Sequence, residues 1–295
     1  MSGGPDPLYV RARTALLDAA DALAEQLDAV VLVGAQAVYL RTGDSNFAVA
    51  EYTTDADFCV SPADLSDTPL LAESLEARGF SLREHPGAWW SPDGIPVDLM
   101  VPEALAGAGS RGARLGPHGK KAAQRAKGLE GALVDHERMD IASLDRADER
   151  SVAMLVAGPA ALLVAKVHKI ADRTGAADRV SDKDALDVLR LLRATDTPTL
   201  AQGLAQLTAH DQSAAATTEA LAELAPLFGT ANAPGVRMAI RAARPNAQPE
   251  EISASITVLV SDLLTVLTVA LSNPSSPSAK QRGTGAESHN TREGG

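Results

Sequence analysis

Four consecutive apolar residues, Val30-Val31-Leu32-Val33, end abruptly at Gly34. A run this short, apolar throughout and closed by glycine, predicts a strand buried within a sheet. Ala35 to Leu40 then reads as the first turns of a helix. A strand–glycine–helix sequence commits the first part of the chain to an α/β arrangement. It also places backbone N–H groups at a helix start, where they can face an anion.

The next strand carries charge where a core strand should not. Thr53-Thr54-Asp55-Ala56-Asp57 leads into Phe58-Cys59-Val60. Residues i and i+2 of a strand share a face, so Asp55 and Asp57 can address one cation. A third carboxylate, Asp98, lies within Ile95-Pro96-Val97-Asp98-Leu99-Met100-Val101. If its strand pairs beside them, the three converge, an arrangement suited to Mg²⁺ and a nucleoside triphosphate. Hard Mg²⁺ favours carboxylate oxygen and keeps several waters, so two or three aspartates plus phosphate suffice. In nucleotidyl transfer two such ions about 3.5–4 Å apart clamp the attacking hydroxyl and the leaving pyrophosphate. The bland alternative for Asp55 and Asp57 is a solvated strand face.

Other elements are coarser. Leu8 to Leu27 has helical periodicity, and Pro69 to Arg78 reads as a helix stopped at Gly79. Phe80 to Glu84, Ala88 to Ser91 and Ile95 to Val101 read as strands, the last two joined by a Pro92-Asp93-Gly94 turn. From about Ser151 the composition turns almost wholly helical. Pro159–Arg173, Lys183–Ala194, Thr199–Leu207, Ala214–Phe228 and Pro249–Leu271 are the expected helices, with Pro198 well placed to open one. These features divide the chain into a flexible 1–7, an α/β module over 8–150, a helical domain over 151–271 and a disordered 272–295.

Composition narrows the setting. The formal charge of −11 argues against a protein that coats nucleic acid with its overall field. A single cysteine, Cys59, excludes an internal disulfide framework and fits a reducing cytoplasm. The N-terminus lacks the pattern of a signal peptide. Ile252–Leu271 is interrupted by Ser253, Ser255, Ser261 and Asp262, which favours a buried amphipathic helix over a membrane span.

Within this frame, Gly34-Ala35, the Thr53-x-Asp55-x-Asp57 string and Val97-Asp98-Leu99 resemble the signature of the DNA polymerase β-like nucleotidyltransferase superfamily. Leu163-Val164-Ala165-Lys166 and Asp182-Lys183-Asp184-Ala185-Leu186-Asp187 further resemble the AbiEii-type nucleotidyltransferase toxins. The resemblance spans roughly Leu8 to Ala194. It implies a nucleotidyltransferase fold with a small mixed sheet, followed by an all-helical C-terminal domain. It implies Asp55, Asp57 and Asp98 as ligands of Mg²⁺ or Mn²⁺, with Asp98 also activating the attacking hydroxyl. Gly34 and Ala35, Thr53, Thr54 and Arg173 would meet the nucleoside triphosphate. Lys166 would contact phosphate, and Asp184 would orient that lysine or the nucleotide. The acceptor implied is RNA, in some members a tRNA 3′ end, in a toxin that acts in the cytoplasm, away from membranes, with a cognate antitoxin protein as partner. Ala35 and Glu51 depart from the family's usual residues.

The residues themselves support a cationic stripe at Lys166, Lys169 or Ile170, and Arg173. Arg111, Arg114, Lys120, Lys121, Arg125 and Lys127 form a basic run, readable either as a solvated loop or as a groove for RNA. Transfer to a small molecule or a protein side chain, and a non-catalytic nucleotide-binding protein, are the competing readings.

Overall fold

A computed structural model describes residues 5–43, 53–172, 180–243 and 248–272. Helix α1 (Pro7–Ala22) starts on Asp6, whose carboxylate accepts from the Leu8 N–H at 2.8 Å, with Pro7 in its first turn. The helix is shorter than its periodicity suggests. Residues Ala24–Ala29 form a 3₁₀ segment instead, because Gln26 turns inward. Its amide donates to the Ser66 and Pro69 carbonyls, each at 2.9 Å, and accepts from the Ser66 N–H at 3.0 Å.

The chain then enters β1 (Val30–Val33), buried at every residue as its composition requires, and passes through Gly34 into α2 (Gly34–Thr42). Strand β2 (Ala56–Val60) follows, then α3 (Leu71–Ala77), ended near Gly79 at φ +81°. Strands β3 (Ser81–Leu82), β4 (Ala88–Trp90), β5 (Pro96–Pro102) and β6 (Gln124–Ala126) continue the sheet. So do β7 (His136–Ala142) and β8 (Ser151–Ala157). The order is β3-β4-β5-β2-β1-β8-β7, with β6 alongside β5.

The sheet is mixed. β1 runs antiparallel to β2 and parallel to β8, while β2 and β5 are parallel. It extends beyond the composition change near Ser151, since β8 is a central strand and the continuous helical part begins at Pro159. Ala, Met and Leu in Ser151–Ala157 carry helix-like propensity, but pairing to β1 and β7 fixes them as a strand.

Helices α4 (Pro159–Ala171), α5 (Val180–Ala194), α6 (Thr197–Ala209), α7 (Ala214–Phe228), α8 (Pro234–Ala243) and α9 (Pro249–Ser272) complete the chain. Of these, α8 was not expected from sequence. Helix α4 packs on α5, α6 and α7, and α5 reaches back to α2, which ties the helical part to the sheet. Helix α9 buries Ile252, Ile256, Val260, Leu263 and Leu267 along one face. It is the one described helix long and apolar enough to cross a membrane by length and composition, and Val258, Val269 and Leu271 on it are exposed. The expected disordered tail lies, beyond Ser272, outside the described residues, as does most of the expected flexible N-terminus.

Candidate active site

Pairing between β2 and β5 sets Asp57 directly beside Asp98, and pairing between β1 and β2 sets Val33 on the other side of Asp57. Neighbouring residues in register share a sheet face, so both carboxylates point the same way. Asp55 stands just before β2. Thr53, itself buried, donates its hydroxyl to Asp55 Oδ1 at 2.6 Å. The loop carrying Asp55 is fixed from behind. Gln36 Nε2 donates to the Asp55 carbonyl at 2.9 Å, and Arg13 Nε donates to Gln36 Oε1 at 2.9 Å. Arg13 is buried and shares its remaining donors between the Tyr9 hydroxyl and the Ala142 carbonyl.

Gly34 sits at φ +71°, and a Cβ there would fall inside the Asp57 carboxylate. Glycine is therefore required twice, for the backbone and for the close approach. Burial and the Asp55 charge, with a smaller contribution from Asp98, push Asp57 up to about 7. Burial and Asp55 also hold Asp98 above the ordinary carboxylate range, against the opposing charge of Arg83. Asp98 Oδ1 is buried without a hydrogen-bond partner. An orphaned carboxylate oxygen among mutually repelling carboxylates fits a site for a cation. Among the described residues no three His, Cys, Asp or Glu side chains already stand close enough to form a cage around an ion.

The opposite wall is helical. Lys166 is buried, with Nζ 2.6 Å from Asp184 Oδ1 and 2.7 Å from Asp187 Oδ2. Burial works against its charge, but the two aspartates outweigh it and hold it above the usual lysine range. Arg190 extends the cluster to Asp187 at 3.3 Å and lies 4.6 Å from the Tyr39 ring centroid, joining α5 to α2. Lys169, one turn on from Lys166, is 41% exposed and 3.4 Å from Asp184 Oδ2. Lys183 is exposed, and burial of part of its stem lowers its pKa while Asp55 acts to raise it.

Two cavities of about 300 Å³ each meet at Asp57, Lys166 and Lys169. One is polar, walled by Thr53, Thr54, Asp55, Lys183 and Asp184 with Ala35 and Tyr39. The other takes in Gly34 and Asp98 and has an apolar side formed by Met100, Leu129, Leu162 and Ala165.

The chain matches no protein family, no curated protein and no solved structure. Of the residues singled out in the sequence, Gly34, Ala35, Thr53, Thr54, Asp55, Asp57, Asp98, Lys166 and Asp184 line one or both of these cavities. Arg173 and Glu51 lie outside the described residues.

The basic run divides. Arg125 and Lys127 line the second cavity, while Arg111, Arg114, Lys120 and Lys121 are exposed on the loop beyond it. Arg125 is bound to the Gly107 and Gly109 carbonyls, and Lys127 reaches Glu219 on α7 at 2.8 Å. Within Gly107–Gly112 the glycines serve the loop itself: Gly107 and Gly109 hold φ of +70° and +142°, and a Cβ on Gly112 would strike the Lys120 carbonyl.

Sequence reasoning underrated Lys169 and did not see Gln36 or Tyr39. The Lys166-x-x-Lys169 spacing was visible, but nothing in the sequence announced that Lys166 would be neutralised by Asp187 and leave Lys169 at the opening. Gln36 carried no signal at all, because its role depends on the loop it meets.

Proposed function

We propose that the protein is a divalent-metal-dependent nucleotidyltransferase that moves a nucleoside monophosphate from a triphosphate to the hydroxyl of an RNA acceptor, releasing pyrophosphate. The observation that carries this reading is the in-register Asp57–Asp98 pair, with its orphaned Asp98 oxygen, facing a lysine-bearing wall. Asp55 and Asp57, with Asp98 beside them, would hold Mg²⁺ or Mn²⁺. When bound, such an ion neutralises phosphate charge and polarises the phosphoryl group.

The chain's own groups do the rest. Lys169 and Lys183 offer ammonium groups to the triphosphate from the helical side, and Ala35 places the first turn of α2 against it. Lys166, held by Asp184 and Asp187, is a positioning residue that keeps α4 and α5 in place. Asp98 accepts the proton of the attacking hydroxyl. Met100, Leu129 and Leu162 give a base an apolar surface. A tRNA 3′ end as acceptor, growth arrest as the outcome and a neutralising antitoxin partner complete the proposal.

Incubation with total RNA and each labelled nucleoside triphosphate tests it. Label should enter RNA with one or more nucleotides in wild type and not in Asp55→Ala. Full transfer by Asp55→Ala would sink the site assignment. A small-molecule or protein acceptor is favoured by one observation, that Arg111, Arg114, Lys120 and Lys121 stand outside both cavities. Neutralising Lys120 and Lys121 should slow transfer to RNA, and an unchanged rate would favour that second reading.

A further inference from the structure

Trp89 and Trp90 adjoin in sequence but lie on opposite faces of β4. Trp89 is fully buried, with its indole N–H donating to the Ala122 carbonyl at 3.1 Å. Trp90 is 38% exposed and is the one aromatic among the large exposed apolar side chains of the described residues. Register fixes where it stands. Ala88 pairs with Asp98 and Trp90 with Pro96, so Trp90 shares the sheet face of Asp98 and Asp57.

The Arg83 guanidinium lies 4.1 Å from the Trp90 ring centroid, and its positive charge also acts on Asp98. Further cationic groups border this edge. Arg111 meets His85 at 3.2 Å, both exposed, and the Lys121 carbonyl accepts from Gly87 N–H just before β4. An exposed indole left a third open even with an arginine plane over it, on the sheet face of Asp98 and beside a basic loop, suits a flat, polyanionic, unpaired partner. Nucleobases stack on such faces regardless of sequence, and the phosphates take the cations.

We propose that Trp90 and Arg83 form the platform on which a terminal base of a single-stranded RNA acceptor stacks, presenting its ribose hydroxyl to Asp98. This rests on the nucleotidyl-transfer reading and gives the outlying basic residues a use. Arg111 and Lys121 would follow the acceptor backbone toward the sheet edge, while the nucleoside triphosphate occupies the lysine-walled cavities.

The chain has only two tryptophans, and Trp89 is sealed in the core, so quenching of intrinsic fluorescence reports on Trp90. A short single-stranded oligoribonucleotide should quench the wild-type protein. By anisotropy of a labelled oligoribonucleotide, Trp90→Ala should bind about tenfold more weakly and Trp90→Phe within about threefold of wild type, as expected for stacking. Divalent-dependent nucleoside triphosphate binding by Trp90→Ala, read by calorimetry, should keep its affinity, which also shows that the variant is folded. Oligoribonucleotide binding by Trp90→Ala equal to wild type would overturn the proposal while leaving the transfer reading intact. So would transfer to a small molecule or protein that is indifferent to Trp90→Ala. Wild-type protein that neither binds nor transfers any nucleotide would instead remove the reading beneath it.

Discussion

Gly34 and Asp57 act as one device, because the carboxylate occupies the space that any side chain at position 34 would fill. Gly34→Ala must strain a positive φ and displace that carboxylate. It should destabilise the fold by about 1–3 kcal/mol, measured by urea denaturation, and abolish transfer. Asp57 has a separate pH signature. Its pKa in the folded protein, pushed up to about 7 by burial and Asp55, lies above its unfolded value, so the native state binds more protons between the two. Asp57 therefore makes stability rise as pH falls from about 8 toward 4, the reverse of a salt-bridged aspartate. Asp57→Asn should raise stability at about pH 8 by on the order of 2 kcal/mol and flatten that dependence. Added Mg²⁺ should raise the wild-type melting temperature at that pH and leave the Asp57→Asn protein much less affected. Equal pH profiles for the two proteins would contradict this account of the carboxylate cluster.

Helices α4 and α5 meet through a buried charge cluster, and the two lysines of α4 part company there. Lys166→Ala would leave Asp184 and Asp187 facing each other in the core, at a cost of about 3–5 kcal/mol in denaturant unfolding. Lys169→Ala, at a part-exposed position, should change stability by less than about 1 kcal/mol yet raise the KM for nucleoside triphosphate about tenfold. Matching effects from the two substitutions would refute this division of labour. The elements that hold the aspartates were legible because their signals are local: an apolar run stopped by glycine, a glycine ending α3, a Pro-Asp-Gly turn before β5. Strands β7 and β8 were not, since His136–Ala142 and Ser151–Ala157 owe their state to pairing with each other and with β1. The ion pairs of Lys166 were not legible for the same reason. Its spacing to Lys169 is visible in the sequence, whereas its burial between Asp184 and Asp187 exists only once α5 is docked.

The whole molecule is a mixed sheet backed by helices, with its polar site where the sheet's central strands face α4 and α5. Contacts between the two parts are specific ones, Arg190 over Tyr39 and Lys127 with Glu219. Helix α9 stands behind the helical part and secures it through a single apolar face. Ile256→Asp would bury an unpaired charge there and should cost about 3 kcal/mol or more, seen as a lower denaturation midpoint. If α9 instead served to anchor the protein in a bilayer, this substitution would release it from vesicles with little change in unfolding. The register of Asp57 with Asp98 remains the feature on which the functional account stands, and pyrophosphate release tests it most directly. Wild-type protein given Mg²⁺, RNA and the preferred nucleoside triphosphate should release one pyrophosphate for each nucleotide incorporated, with both products lost in Asp57→Asn and Asp98→Asn. Release of pyrophosphate at the wild-type rate by either variant, or incorporation without it, would contradict the account.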